Sequence, residues 1–161
     1  MVRTVKHSQK VHAWGCFSSK GFGSLFLFTQ NLNAQLLVHI YKKALIPSAI
    51  EWFTDPEESW VLQEDNDPKH TSKLAKKWRE EKGVDRLPWP AQSPDLNPIE
   101  NVWSLLKVKV AQQHPKNLKD LKRCIKREWR SLPVELAKNL VESMQRRIRQ
   151  VVANKGDFTT Y

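Results

Sequence analysis

WVLQEDNDPKHTS, residues 60–72, sets a short apolar run against a segment made almost wholly of turn formers and charges. Trp60 to Gln63 read as a brief strand of the buried type. Asp65 then stands where that strand ends, and the carboxyl ends of strands are where open sheets place their ligand-binding groups. Asp65 with Asn66, and Asp67 with Pro68, equally make a plain polar turn, because these side chains satisfy turn geometry locally. Glu64 neighbours Asp65 and points to the opposite face if the strand stays regular.

A second segment, SPDLNPIENVW at residues 93–103, opens a helix. The loop before it, PAQSPDLNP, is dense in proline and turn formers, so its order comes from local chemistry. Glu100 falls on the first helical turn. Asn97 lies three residues earlier with Pro98 between, which is also a capping-box pattern. Between Asp65 and Glu100 lie 34 residues.

Working outward, residues 10–18 and 22–30 read as two strands joined by a Ser/Lys/Gly turn. Asn33 is placed to cap a helix through AQLLVHIYKKALIPSAI, with Leu36, Leu37, Ile40, Tyr41 and Leu45 inward and Pro47 ending or kinking it. A charged helix follows from about Thr71 to Lys82, then a brief strand, VDRLPW. Three helices complete the chain. The first turns Ile99, Val102, Trp103, Leu106 and Val110 inward. The second begins at Asn117 with Leu118, Leu121, Ile125 and Trp129 inward, and the third begins near Pro133 with Leu136, Leu140, Met144, Ile148 and Val151 inward. Strands first, helices later and a strand–helix–strand unit between indicate one mixed α/β domain.

At 161 residues the chain is long enough to bury a real core without staples. No apolar stretch is long enough to span a bilayer, and MVRTVKHSQK lacks the apolar region of a secretory signal. Cys16 and Cys124 lack metal-ligand spacing and fit a reducing compartment, cytosol or nucleus. The formal charge is +10, and residues 116–151 carry 11 Lys and Arg against 4 acids. That concentration suits a polyanion such as DNA; a solvated helix surface accounts for it equally well. Lys119, Lys122, Arg123, Lys126, Arg127 and Arg130 lie off the apolar stripe of the second of these helices, and Arg146 and Arg147 are on the third.

Taken together, DNDPKHTS and SPDLNPIENVW closely resemble the second and third catalytic motifs of the Tc/mariner superfamily of DNA transposases, in its Tc-like branch. The spacing of 34 residues agrees, and WGCFS, LIPSA and the tail GDFTTY also resemble that family. The resemblance implies a ribonuclease-H-like mixed sheet flanked by helices, in which three carboxylates hold two divalent ions, normally Mg²⁺ with Mn²⁺ as a substitute. Asp65 and Glu100 would be catalytic and metal-binding; Asn66 and His70 would shape the site or contact DNA, with a purely structural His70 the alternative. DNA, as transposon ends and target, is the implied partner, self-association is a further option, and the nucleus is the implied location.

In that family the first catalytic Asp lies on the first, central strand, well upstream of WGCFS. Glu51, Asp55, Glu57, Glu58 and Glu64 are the acids before Asp65, and none matches that position. Residues 1–161 are therefore expected to form a partial catalytic domain, truncated before its first strand and without the helix-turn-helix DNA-binding region. Weak or absent cleavage follows from two carboxylates in place of three. Two sheet edges would be exposed, which the segment VRTVK would fill only in part. The alternative function is a non-catalytic DNA-binding remnant acting through the basic helices.

Overall fold

The computed structural model describes residues 10–65, 67–88 and 97–153, the last three as backbone only. The side chain of Val151, the segment VRTVK, the loop residues PAQSPDL and the tail GDFTTY therefore lie outside what is described. The two expected strands form an antiparallel hairpin, β1 (His12–Ser18) with β2 (Gly21–Phe28). Its register slips between Gly15/Leu25 and Phe17/Phe22, so Gly23 and Ser24 stand opposite Cys16 alone. This bulge displaces two backbone groups, and helices satisfy both: Ser24 N–H donates to Ser48 Oγ at 2.9 Å, and Gly23 C=O accepts from Trp129 Nε1 at 2.8 Å. It also changes the parity of side chains along β2. Phe26 and Phe28 face one way, while Phe22 and Leu25, of opposite parity, share the other face.

The hairpin is thus covered on both sides. On the first side lie α1 (Ala34–Ile40), a π-helical stretch (Tyr41–Leu45) and α2 (Ile46–Trp52), forming one continuous rod. Asn33 caps it as expected, its side chain accepting from Leu36 N–H at 2.7 Å. Pro47, however, does not end the helix. A proline ring would strike the carbonyl four residues back, at Lys43. The rod widens ahead of it, Ile46 N–H reaching five residues back to Tyr41 C=O, and Pro47 enters in the first turn of α2.

On the second side lie α4 (Ile99–Ala111), α5 (Leu118–Arg130) and α6 (Val134–Ala153). Val102, Leu106, Trp129, Leu132 and Leu140 are buried there against Phe17, Phe22 and Leu25. The expected inward faces hold, with Cys124 and Ala137 as additional buried positions. Asn117 caps α5 through Asp120 N–H at 2.8 Å.

Next to the first layer, α3 (Lys73–Lys82) packs Ala75 and Trp78 on Leu37, Val38 and Tyr41. Ser72 caps it, and Gly83 closes it in the left-handed conformation, φ 65°. Val84 N–H then bonds Arg79 C=O and Gly83 N–H bonds Glu80 C=O, the paired pattern of a Schellman cap. The strands expected at 60–63 and 84–89 reduce to a single parallel bridge. Leu62 N–H donates to Asp85 C=O and its carbonyl accepts from Leu87 N–H, both at 2.8 Å. Pro88 follows at once with no N–H to continue the ladder. This bridge delivers Asp65 to the surface, and Gln63 and Leu87 tie it to Met144 of α6.

Candidate active site

Asp65 leaves the bridge with its side chain 47% exposed. The chain then folds back on itself around Asp67. Asp67 N–H donates to Asp65 Oδ1 at 3.1 Å, Lys69 N–H to Asp67 Oδ1 at 2.9 Å, and His70 N–H to Asp67 C=O at 2.9 Å. The polar turn expected here is therefore formed. The turn returns the His70 ring to Asp65, Nδ1 lying 2.6 Å from Oδ1. A carboxylate only accepts, so this contact calls for the proton on Nδ1. Both bonds fall on Oδ1, and among the described residues none falls on Oδ2. Asn66 lies outside the described residues.

Beneath this turn is a buried ionic cluster that sequence reading missed. Glu64 is 8% exposed and, as its alternation with Asp65 requires, turns inward. Its Oε2 accepts from Tyr41 Oη at 2.6 Å, and its Oε1 from Arg86 Nε at 3.2 Å and Arg79 Nη1 at 3.4 Å. Both arginines reach further: Arg79 donates to His70 C=O at 2.8 Å and Arg86 to Asp65 C=O at 2.5 Å. His70 Nε2 lies 3.8 Å from Glu64 Oε2. Burial, with the charge and hydrogen bond of Glu64, holds the Tyr41 phenol protonated far above its ordinary range.

Glu100 is exposed in the first turn of α4. The capping box with Asn97 does not form: Pro98, at φ −69° and ψ −18°, is already helical, and no side chain caps the helix. Glu100 N–H donates to Asn97 C=O at 3.2 Å, and its exposed side chain stands at the positive end of the helix. The structure brings His70 to Asp65; among the described residues it records no hydrogen bond or ion pair from either to Glu100. Both present hard oxygen donors of the kind that Mg²⁺ and Mn²⁺ prefer. Among the described residues, no three His, Cys, Asp or Glu side chains converge as a ligand group.

Residues 2–122, which include both carboxylates, match the family model of the DDE superfamily endonucleases. The chain belongs to that family. This DDE endonuclease chain is 36% identical over 159 residues to the transposable element Tcb1 transposase of Caenorhabditis briggsae, covering 98% of this chain and 57% of that protein. It thus spans a little over half the length of the curated relatives it matches first. Its fold superposes on the crystal structure of the catalytic domain of Mos1 mariner transposase with a TM-score of 0.75, at 17% identity, covering 92% of this chain and 82% of that one. The Mos1 mariner paired-end complex with Mn gives a TM-score of 0.82 at 18% identity, covering 99% of this chain and 48% of that one. The mixed α/β arrangement is the ribonuclease-H-like fold of that catalytic domain.

The basic positions of this DDE chain divide by their contacts. Lys119, Lys126, Arg130 and Arg146 are exposed; Lys122 and Arg147 are half-buried. Arg123 is paired to Asp120, whose carboxyl it holds below the ordinary range, and Arg127 is hydrogen-bonded to Gln113. Arg123 and Arg127 are therefore committed to neighbours on the protein surface. Among the described residues no helix is long and apolar enough to cross a membrane.

Proposed function

We propose that this chain carries part of the metal-dependent DNA cleavage and strand-transfer site of a cut-and-paste transposase, with Asp65 and Glu100 as two of its ligands. The observation that carries the reading is the Asp65–His70 contact at 2.6 Å, which fixes one carboxylate oxygen and leaves the other without a protein partner among the described residues. Mg²⁺, or Mn²⁺ in its place, two ions in the intact family, would be held by these carboxylates. When bound, such ions activate water or a 3′-hydroxyl and stabilise the leaving oxygen. The protein's own part is orientation. His70 and the Asp67 N–H hold Asp65 Oδ1, and α4, anchored by the buried Val102, Leu106 and Val110, holds Glu100 on a rigid turn. Transposon ends and target DNA are the substrates in this reading, and the nucleus is the place of action.

A third carboxylate has no counterpart among the described residues ahead of Asp65. Glu51 lies in α2, Asp55, Glu57 and Glu58 follow it on the surface, and Glu64 is taken up by Tyr41 and two arginines. The 161 residues alone are therefore expected to nick supercoiled plasmid no faster than background in Mg²⁺ or Mn²⁺. Nicking that disappears in both Asp65→Ala and Glu100→Ala would overturn that expectation while upholding the two carboxylates. Nicking that survives both substitutions would remove the assignment itself.

A second reading, DNA binding without cleavage, is favoured by one surface. Lys119, Lys126 and Arg130 follow one another at intervals of seven and four residues on α5 and are all exposed. Replacing all three with Glu is expected to flatten the log–log salt dependence of DNA affinity by about 2 to 3 units, close to 0.9 per lost phosphate contact. An unchanged slope, measured by fluorescence anisotropy across salt, rules this surface out.

A further inference from the structure

Glu64 adjoins the candidate ligand Asp65 in sequence, yet it points into the protein and is claimed by three donors. We propose that Glu64, Arg79 and Arg86 are positioning residues: a buried brace that sets the Asp65 carboxylate and the His70 ring for metal binding. The inference rests on the reading of Asp65 as a ligand and assigns work to residues which that reading leaves idle.

The geometry is that of two arms on one hub. Arg86 and Arg79 share Glu64 Oε1, at 3.2 and 3.4 Å, and each extends to a backbone carbonyl at one end of the turn. Arg86 holds Asp65 C=O and Arg79 holds His70 C=O, so the two ends of residues 65–70 are referenced to a single carboxylate. Tyr41 donates to the other oxygen and stops the hub from rotating. Three of these side chains come from different places: the end of the bridge strand, α3 and the segment after Gly83; the fourth comes from the π-helical turn. A buried ion cluster contributes little net stability over an apolar replacement. Its return here is geometric, and both arms end on residues of the candidate site. An arginine fork serves two acceptors in fixed directions, which a lysine ammonium cannot reproduce.

The test uses the whole 161-residue chain with Arg79→Lys, Arg86→Lys and Glu64→Gln. Mn²⁺ alone is the probe, its free concentration read by electron paramagnetic resonance. Hydrogen exchange is followed at the His70 and Thr71 amides, both bonded to Asp67 C=O. Both lysine variants are expected to keep a cooperative thermal transition while losing about tenfold or more in Mn²⁺ affinity. Exchange at those two amides should rise about tenfold, with protection in α5 unchanged. Should Glu64→Gln fail to fold, the lysine variants decide. Parent-like affinity and exchange in both overturn the brace, as does protection lost evenly through the chain, which is the mark of a merely structural cluster. If the parent binds no Mn²⁺, the ligand reading of Asp65 falls, and the exchange at His70 and Thr71 still decides whether the brace holds the turn.

Discussion

Trp129→Ala is expected to lower the stability of this chain by roughly 4 kcal/mol, within the range for deleting a buried Trp side chain. Trp129 is 5% exposed and joins three elements. It stacks on Trp103 of α4 at 5.5 Å and meets Phe22 of β2 edge-on at 5.3 Å. A Cβ on Gly15 would lie 2.5 Å from its Cη2, so β1 approaches the ring as closely as glycine alone allows. Its Nε1 also satisfies the Gly23 carbonyl freed by the bulge. Truncation therefore opens a cavity between hairpin and helices and orphans a polar group in one stroke. Trp129→Phe keeps most of the apolar area and loses the bond to Gly23, so it should cost less, about 1–2 kcal/mol. Urea unfolding measures both; equal losses for Ala and Phe would mean that the hydrogen bond, not the ring, holds the hairpin to α5.

Alkaline pH should produce the second large effect. Burial against α2 pushes the Cys16 thiol from 9.0 up to about 11, only partly opposed by its bonds to Ser48 and Ser24. The folded chain then holds this proton more tightly than the unfolded chain. Its stabilising contribution is complete below pH 9, falls as the unfolded thiol ionises, and is gone once pH passes 11. Two units correspond to roughly 3 kcal/mol. Tyr41 shifts in the same direction for the same reason, burial first and then Glu64, and steepens the loss above pH 10. The thermal midpoint should therefore stay level from pH 7 to 8.5 and drop steeply beyond, and Cys16→Ala should remove the part between pH 9 and 10. A midpoint flat to pH 11 in the parent would show that neither group is held as described.

Local periodicity made much of this fold legible. The hairpin, the Asn33 and Asn117 caps and the apolar faces of α4, α5 and α6 follow from patterns within a few residues of each other, and the structure keeps them. Pro47 does not end the rod because a wider helical turn upstream relieves its clash, a conformation with no sequence signature of its own. The strand at 60–63 shrank to one bridge because Pro88 stops its partner. Asp65 and Glu100 were singled out by motif chemistry, and the structure adds the return of His70 to Asp65, which comes with the turn. The hub at Glu64 was not legible. Tyr41, Arg79 and Arg86 are far from it in sequence, and each charge alone reads as solvated surface. The parity of Glu64 against Asp65 gave the one available signal, since an acid turned inward must find cations.

The central claim is that Asp65 and Glu100 act together on a divalent ion, and Mn²⁺ binding by the folded chain tests it most directly. Saturable binding is expected, weakened at least tenfold by Asp65→Ala and by Glu100→Ala, the order of magnitude of an oriented metal site. The double variant should lose little more than either single one, because both act on one site. Binding that neither substitution changes would contradict the account.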